Sequence, residues 1–388
     1  MSEETHRLRI RSAQDLFDAV KSSDPAVRLG VLRAIVQDPS KAASYGRHEG
    51  MDIVDMLCGQ AVALSASTLR TMVLGALGEF RDARVAALFR KEIMVSQDVE
   101  VISIAARFLS AEPEDEVRGI FSTLLTQNNS LPHARAAANA MATFTSLTGA
   151  ERVRIAMLSD VDFAAPLLDE KTEPFWVKEL GGPLGGRARE LIGSQGGTAF
   201  GFLRKRWETL PEGLKEWLLR WGAAEHPAFT VELILHGLDS GSDPLVRASL
   251  ECVASLGAAG KIFESLTGRY LSHPDPAVRI AAVRAGVEGL DWEDALAEEN
   301  DPAVKIEMVG RLADARGASA VPTLVRLVEE GDSRLRAAST LALQRLGKDA
   351  VEGVKPLMAH ADQAVKVAAA QVLIAAGEDL WLEEKILS

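Results

Sequence analysis

The sequence predicts an all-α fold, a superhelical solenoid of roughly ten helix pairs, because one helix-opening motif returns at the interval that repeat arrays use. The motif is clearest at Asp275-Pro276-Ala277-Val278-Arg279, where Asp275 can accept from the first free N–H groups and Pro276 sits where no donor is needed. It recurs at Asp24-Pro25-Ala26-Val27-Arg28, Asp243-Pro244-Leu245-Val246-Arg247 and Asp301-Pro302-Ala303-Val304-Lys305, with looser copies from Asp332 and Asp362. Its basic residues fall at 247, 279, 305, 336 and 366, which gives steps of 32, 26, 31 and 30. Apolar residues follow each copy at helical spacing, proline gathers at helix starts, and no clean two-residue alternation marks a strand.

Taken in order, residues 1–12 read as a frayed start and 13–169 as an N-terminal array. Ala13 to Lys21 forms a first helix through Leu16, Phe17 and Val20, and Asp24 caps the next, which runs to about Gln37. Ser40 to Gly50 reads as an inserted loop or short helix before a helical Met51 to Leu64. A second helix, Leu69 to Gly78, ends at glycine, a usual stop. Asp82 to Met94 pairs with a helix opened by Asp98 and ending at Leu109; Glu112 to Leu125 pairs with Ser130 to Phe144; Gly149 to Leu168 continues the style. Residues 170–209 break the rhythm. Eight glycines fall between Gly181 and Gly201, and four of the six tryptophans (Trp176, Trp207, Trp217, Trp221) lie nearby, so loops and short helices joining two arrays are expected. The rhythm resumes over 210–377, with one short first helix, Trp292 to Glu299, behind the step of 26. Residues 378–388 read as an amphipathic polar cap for the exposed end.

Composition narrows function. Apolar content of 47% with 25% charged residues is that of a folded chain, and 55 acidic against 43 basic residues disfavour general binding to nucleic acid or anionic membranes. The last hundred residues, 289–388, carry 18 acidic and 11 basic side chains, which argues against a duplex cradle there. Cys58 and Cys252 stand alone, as buried and inert cysteines of a reducing compartment do. The charged start carries no apolar core of a signal peptide, and no run of about eighteen apolar residues occurs. A cytoplasmic location and no membrane association are expected.

Paired helices of about thirty residues, with Asp-Pro-x-Val-Arg opening the second and an Ala/Leu run closing at Leu-Gly, resemble HEAT repeats, and more closely the bacterial HEAT-like class that includes the phycobilisome lyase repeats. The resemblance runs over 210–377 and 13–145 and fades over 146–209. It implies that Asp24, Asp243, Asp275 and Asp301, with Arg28, Arg247, Arg279 and Lys305, form a ladder between neighbouring repeats rather than a ligand site. It also implies that second helices line the concave side of the array.

Candidate chemistry is sparse. The seven histidines form no HxxxH or HxxH pair, and no cysteine or clustered carboxylate sits at ligand spacing. Gly181-Gly182-Pro183-Leu184-Gly185-Gly186-Arg187-Ala188 has the outer spacing of a phosphate loop but lacks its lysine, its Ser/Thr and its preceding strand. No catalytic residue, cofactor or metal is therefore assigned. Two surface features remain. From Gly181 to Trp221 seven basic residues face four acidic ones, and Arg204, Arg206, Trp207, Trp217, Arg220 and Trp221 interleave cations with aromatics; the bland alternative makes the tryptophans core wedges. Five residues after each motif's basic position, the second helix carries Arg33, Arg107, Arg220 and Arg284, where other repeats have Gly75, Ala140, Cys252, Gly310, Leu341 and Gln371. Those arginines either form a basic stripe or pair with acids of adjacent repeats.

The expected function is a non-catalytic scaffold, adaptor or assembly factor. Its groove takes an acidic or extended protein segment through Arg33, Arg107, Arg220 and Arg284, with Trp207, Trp217 or Trp221 as anchors. The resemblance leaves two alternatives, a bilin lyase-like enzyme subunit and a DNA-repair glycosylase.

Overall fold

The computed structural model describes residues 10–64, 68–127, 130–287 and 289–378. The chain divides into two units, one through Gln195 and one from Gly196, and the boundary falls inside the stretch expected to join two arrays. The first unit contains α1 (Ala13–Lys21), α2 (Pro25–Gln37), α3 (Pro39–Ser44), α4 (Ile53–Ala63), α5 (Thr68–Leu77) and α6 (Ala83–Val95). It continues with α7 (Val99–Leu109), α8 (Glu114–Thr126), α9 (Leu131–Met141), α10 (Gly149–Leu158), α11 (Glu173–Leu180) and α12 (Gly185–Gly193). The second contains α13 (Gly197–Lys205), α14 (Glu212–Glu225), α15 (Pro227–Leu238), α16 (Asp243–Ser255), α17 (Glu264–Thr267) and α18 (Pro276–Ala285). It ends with α19 (Trp292–Glu298), α20 (Pro302–Arg316), α21 (Val321–Glu330), α22 (Ser333–Leu346), α23 (Val351–Val354) and α24 (Gln363–Ala375). Among the described residues the one β pairing is the isolated bridge between His48 and Met51.

Each unit is an α-solenoid. Helices pair in sequence, and second helices pack on second helices: α2 on α5, α5 on α7 and α7 on α9 in one unit, and α14, α16, α18, α20, α22 and α24 in succession in the other. The stacking follows from the apolar stripe each helix carries. Val31, Leu32 and Ile35 of α2, Val73, Leu74 and Leu77 of α5, and Ile102, Ala105 and Leu109 of α7 are all buried in one continuous core.

The repeated aspartates do what the motif requires. Asp24, Asp275, Asp301 and Asp362 each accept at 2.8 Å from the amide two residues on, and Pro25, Pro276 and Pro302 take the first helical position. A second layer of capping was not read from the sequence. The residue two before the cap accepts the cap's own N–H: Ser22 for Asp24, Ser96 for Asp98, His273 Nδ1 for Asp275, Glu299 for Asp301 and His360 Nδ1 for Asp362.

Several expectations need correction. Asp243 is the first residue of α16 and not its cap; Ser242 accepts from Leu245 instead, and Asp243 lies 3.5 Å from His273 Nε2. The helix expected to run from Gly149 to Leu168 stops at Leu158, because Asn139 Oδ1 accepts from both the Ser159 hydroxyl and the Asp160 amide and draws the chain out of the helix. Over 170–209, where loops and short helices are expected, the chain forms the short helices α11, α12 and α13. The first helices after α16 and α22 are mostly 3₁₀, and Gly257 and Gly347 turn the chain just before them at φ of 54° and 58°. The cap expected over 378–388 lies, beyond Glu378, outside the described residues, as do residues 1–9 of the frayed start.

Candidate functional site

The four arginines at the shared second-helix position divide two and two. Arg33 on α2 and Arg107 on α7 are exposed and line one groove of about 600 Å³ in the first unit. Between them, on α5, the same repeat position is Gly75, and a Cβ there would meet nothing within 4 Å. At that height α5 presents no side chain to fill the groove. Its floor is Leu32, Val36, Met72 and Ile104, with Val36 43% exposed, and Glu79 and Glu100 stand at its ends. Among the described residues neither Arg33 nor Arg107 has an ion pair or a side-chain hydrogen bond.

Arg220 and Arg284 are neutralised within the second unit. Arg220 Nη2 reaches Glu251 at 2.9 Å and Glu216 at 3.9 Å, and Arg284 Nη2 reaches Glu307 at 2.8 Å. The difference is legible one repeat further on, where unit two places Glu251 and Glu307 and unit one places Met72 and Leu74 after Arg33 and Ala137 and Asn139 after Arg107. Comparing those positions would have separated the pairs.

The expected aromatic anchors are largely core. Trp207 and Trp221 are 5% and 7% exposed, so neither presents a contact surface. Trp221 meets Phe200 edge-on at 5.4 Å, and half-buried Trp217 stacks on it at 5.1 Å. The cations beside them fold over their own neighbours: Lys215 over Trp207, Arg204 over Phe229 and Arg206 over Phe202. The wedge alternative holds here because α13, α14 and α15 close around these rings. Trp217→Ala will therefore lower the stability of the second unit by about 1 kcal/mol through lost stacking. A thermal melt unchanged by that substitution would contradict this placement.

Electrostatics elsewhere serves the stack. Arg279 and Glu299 form a two-point pair at 2.8 and 3.0 Å, and Arg70 reaches Glu92 at 2.7 Å. Burial pushes the Glu299 carboxyl up, but the Arg279 guanidinium and the Asp301 and Asn300 amides more than offset it, and the carboxyl sits below its ordinary range. On the first helices of unit one, a single guanidinium, Arg84, holds the caps of two neighbours, Asp82 of α6 at 2.6 Å and Asp52 of α4 at 3.0 Å. Its hydrogen bonds to Asp82 and then Asp52 raise its pKa. The residues expected to form a motif-to-motif ladder turn elsewhere, Arg279 to Glu299 and Arg247 to Glu251 of its own helix; a contact of that form is made instead by Arg336 and Asp362 at 3.8 Å. Burial pushes the Cys252 thiol up to about 12 against the lowering effect of Arg220, so it is no nucleophile at neutral pH. Among the described residues no group of three or more His, Cys, Asp or Glu side chains is placed to hold a metal ion, and no helix is long and apolar enough to cross a membrane.

Residues 290–374 match the HEAT repeats family model, which spans the helix pairs from α19 to α24. Solved structures align along nearly the whole chain. An engineered protein shares 18% identity over 94% of this chain and 88% of its own, at a TM-score of 0.26. A mutant of Kap121p shares 14% over 96% of this chain and 38% of its own, at 0.28. Importin beta shares 14% over 94% of this chain and 45% of its own, at 0.23. The chain thus spans less than half the length of the last two, and at these scores the likeness carries no argument about function. No curated protein matches the sequence.

Proposed function

We propose that this HEAT-repeat chain is a non-catalytic protein-binding scaffold, and that a partner segment lies in the groove across α2, α5 and α7. One observation carries the reading: Arg33 and Arg107 stand without internal partners over an apolar floor, in a chain whose other arginines at this repeat position are paired. An exposed guanidinium beside apolar surface is the usual chemistry of an interface anchor. Arg220 and Arg284, 49% and 55% exposed, keep pairs worth about 0–1 kcal/mol and can exchange them for a partner's carboxylate at little cost.

The test places a photoreactive side chain at Val36, on the groove floor, and irradiates the intact chain in its host lysate. The expected result is a discrete protein adduct whose yield falls at least tenfold when Arg33→Glu and Arg107→Glu are combined, with an unchanged melting temperature. An adduct indifferent to the charge reversal, or labelling of nucleic acid alone, would defeat the reading.

A further inference from the structure

We infer that the groove of the first unit takes an extended segment in which two acidic side chains, four residues apart, flank one large apolar side chain seated over Gly75. This rests on the scaffold reading and specifies its ligand.

The charges set the direction of the segment. Arg33, Gly75 and Arg107 occupy the same height on three successive second helices, so a line across the helices meets a guanidinium, an empty place and a guanidinium. Glu100 lies in the first turn of α7 and Glu79 just past the end of α5, so a segment running along the helix axes meets carboxylates at its ends instead. An acidic segment is repelled in that orientation and attracted in the first. It crosses the helices.

Spacing sets the register. Packed helices stand about 9 Å apart, so Arg33 and Arg107 are separated by two such intervals, about 18 Å at the backbone. In an extended chain, side chains at i, i+2 and i+4 share one face and span about 13–14 Å, and two arginine side chains leaning inward close the difference. The residue at i+2 then falls over Gly75, where Leu32, Met72 and Ile104 of the floor supply apolar contact and no Cβ occupies the space. Glycine inside a helix costs stability, and nothing within 4 Å in the fold requires it at this position. The open seat is what it provides.

The probe is a library of random seven-residue peptides selected on the intact chain, followed by fluorescence anisotropy of the enriched sequence. Two carboxylates four apart with a large apolar residue midway should emerge. Binding of that peptide should weaken at least tenfold both for Gly75→Leu, which fills the seat, and for the Arg33→Glu/Arg107→Glu pair. Gly75→Leu has open space around it, so its melting temperature should not fall, which separates a blocked seat from a damaged fold. Peptides that bind Gly75→Leu as tightly as the parent overturn the apolar seat and leave the scaffold reading standing. Binding indifferent to the charge reversal, or no enrichment at all, removes both.

Discussion

Glu299→Ala will destabilise the second unit by about 3–5 kcal/mol, the cost of leaving a buried charge without its partner. The side chains of Glu299 and Arg279 are 6% and 14% exposed, so water replaces little of what is lost, and Arg279 keeps only the His273 and Pro274 carbonyls as acceptors. Glu299 also accepts from the Asn300 and Asp301 amides at 2.8 and 2.7 Å, so the substitution removes the acceptor that holds Asp301, the cap of α20, as well as the partner of Arg279. The same change at Asp291, which caps α19 and touches Arg316 at 3.8 Å on the surface, removes a cap worth about 1 kcal/mol and a pair worth about 0–1 kcal/mol. Chemical unfolding at neutral pH gives both numbers, and equal losses would refute the distinction by burial. The pH dependence has a definite sign. Because the folded carboxyl lies below its unfolded value, the stabilisation from Glu299 is complete above the ordinary carboxylate range, near about 4.3, and is lost as pH falls through the folded value. The gap between parent and Glu299→Ala should therefore narrow on acidification below that range and stay constant from there to neutrality.

Helix starts were legible because capping is local. Asp24, Asp275 and Asp301 each satisfy an amide two residues away, and that chemistry is written in five consecutive letters. Asp243 failed for the same kind of reason: Ser242, its neighbour, is an equally good cap and takes the role, while Asp243 lies beside His273 of the next repeat. The end of α10 was illegible because Asn139, twenty residues upstream, captures Ser159 and Asp160. The candidate site was half legible. Its four arginines follow from repeat position, but whether each is free depends on residues one repeat away, and the floor residue Val36 gives no signal of its own. The tryptophans misled because a cluster of rings beside cations reads alike whether it faces solvent or fills a wedge; only the closure of α13 and α15 around α14 decides it.

Two glycines in the last turns of their helices, Gly75 of α5 and Gly222 of α14, are indistinguishable by propensity, and the structure predicts opposite outcomes for them. On α14, a Cβ at Gly222 would overlap the Thr230 hydroxyl and stand 2.8 Å from the Phe200 ring. Neither neighbour can retreat. Thr230 is fully buried and donates to the His226 carbonyl at 3.0 Å, and Phe200 is wedged between Trp221 and His226. Gly222→Leu must push α14 and α15 apart, and in a packed interior that overfilling will cost about 3 kcal/mol. Gly75→Ala meets no atom within 4 Å and removes the backbone entropy penalty of a helical glycine, so it will stabilise the first unit by about 0.5–1 kcal/mol. Urea melts of the two variants against the parent are decisive. A Gly222→Leu chain as stable as the parent would mean that the α13–α14–α15 seam yields to an extra side chain. A loss at Gly75→Ala would mean that the groove is closed in solution and that the space between Arg33 and Arg107 is not there to be filled.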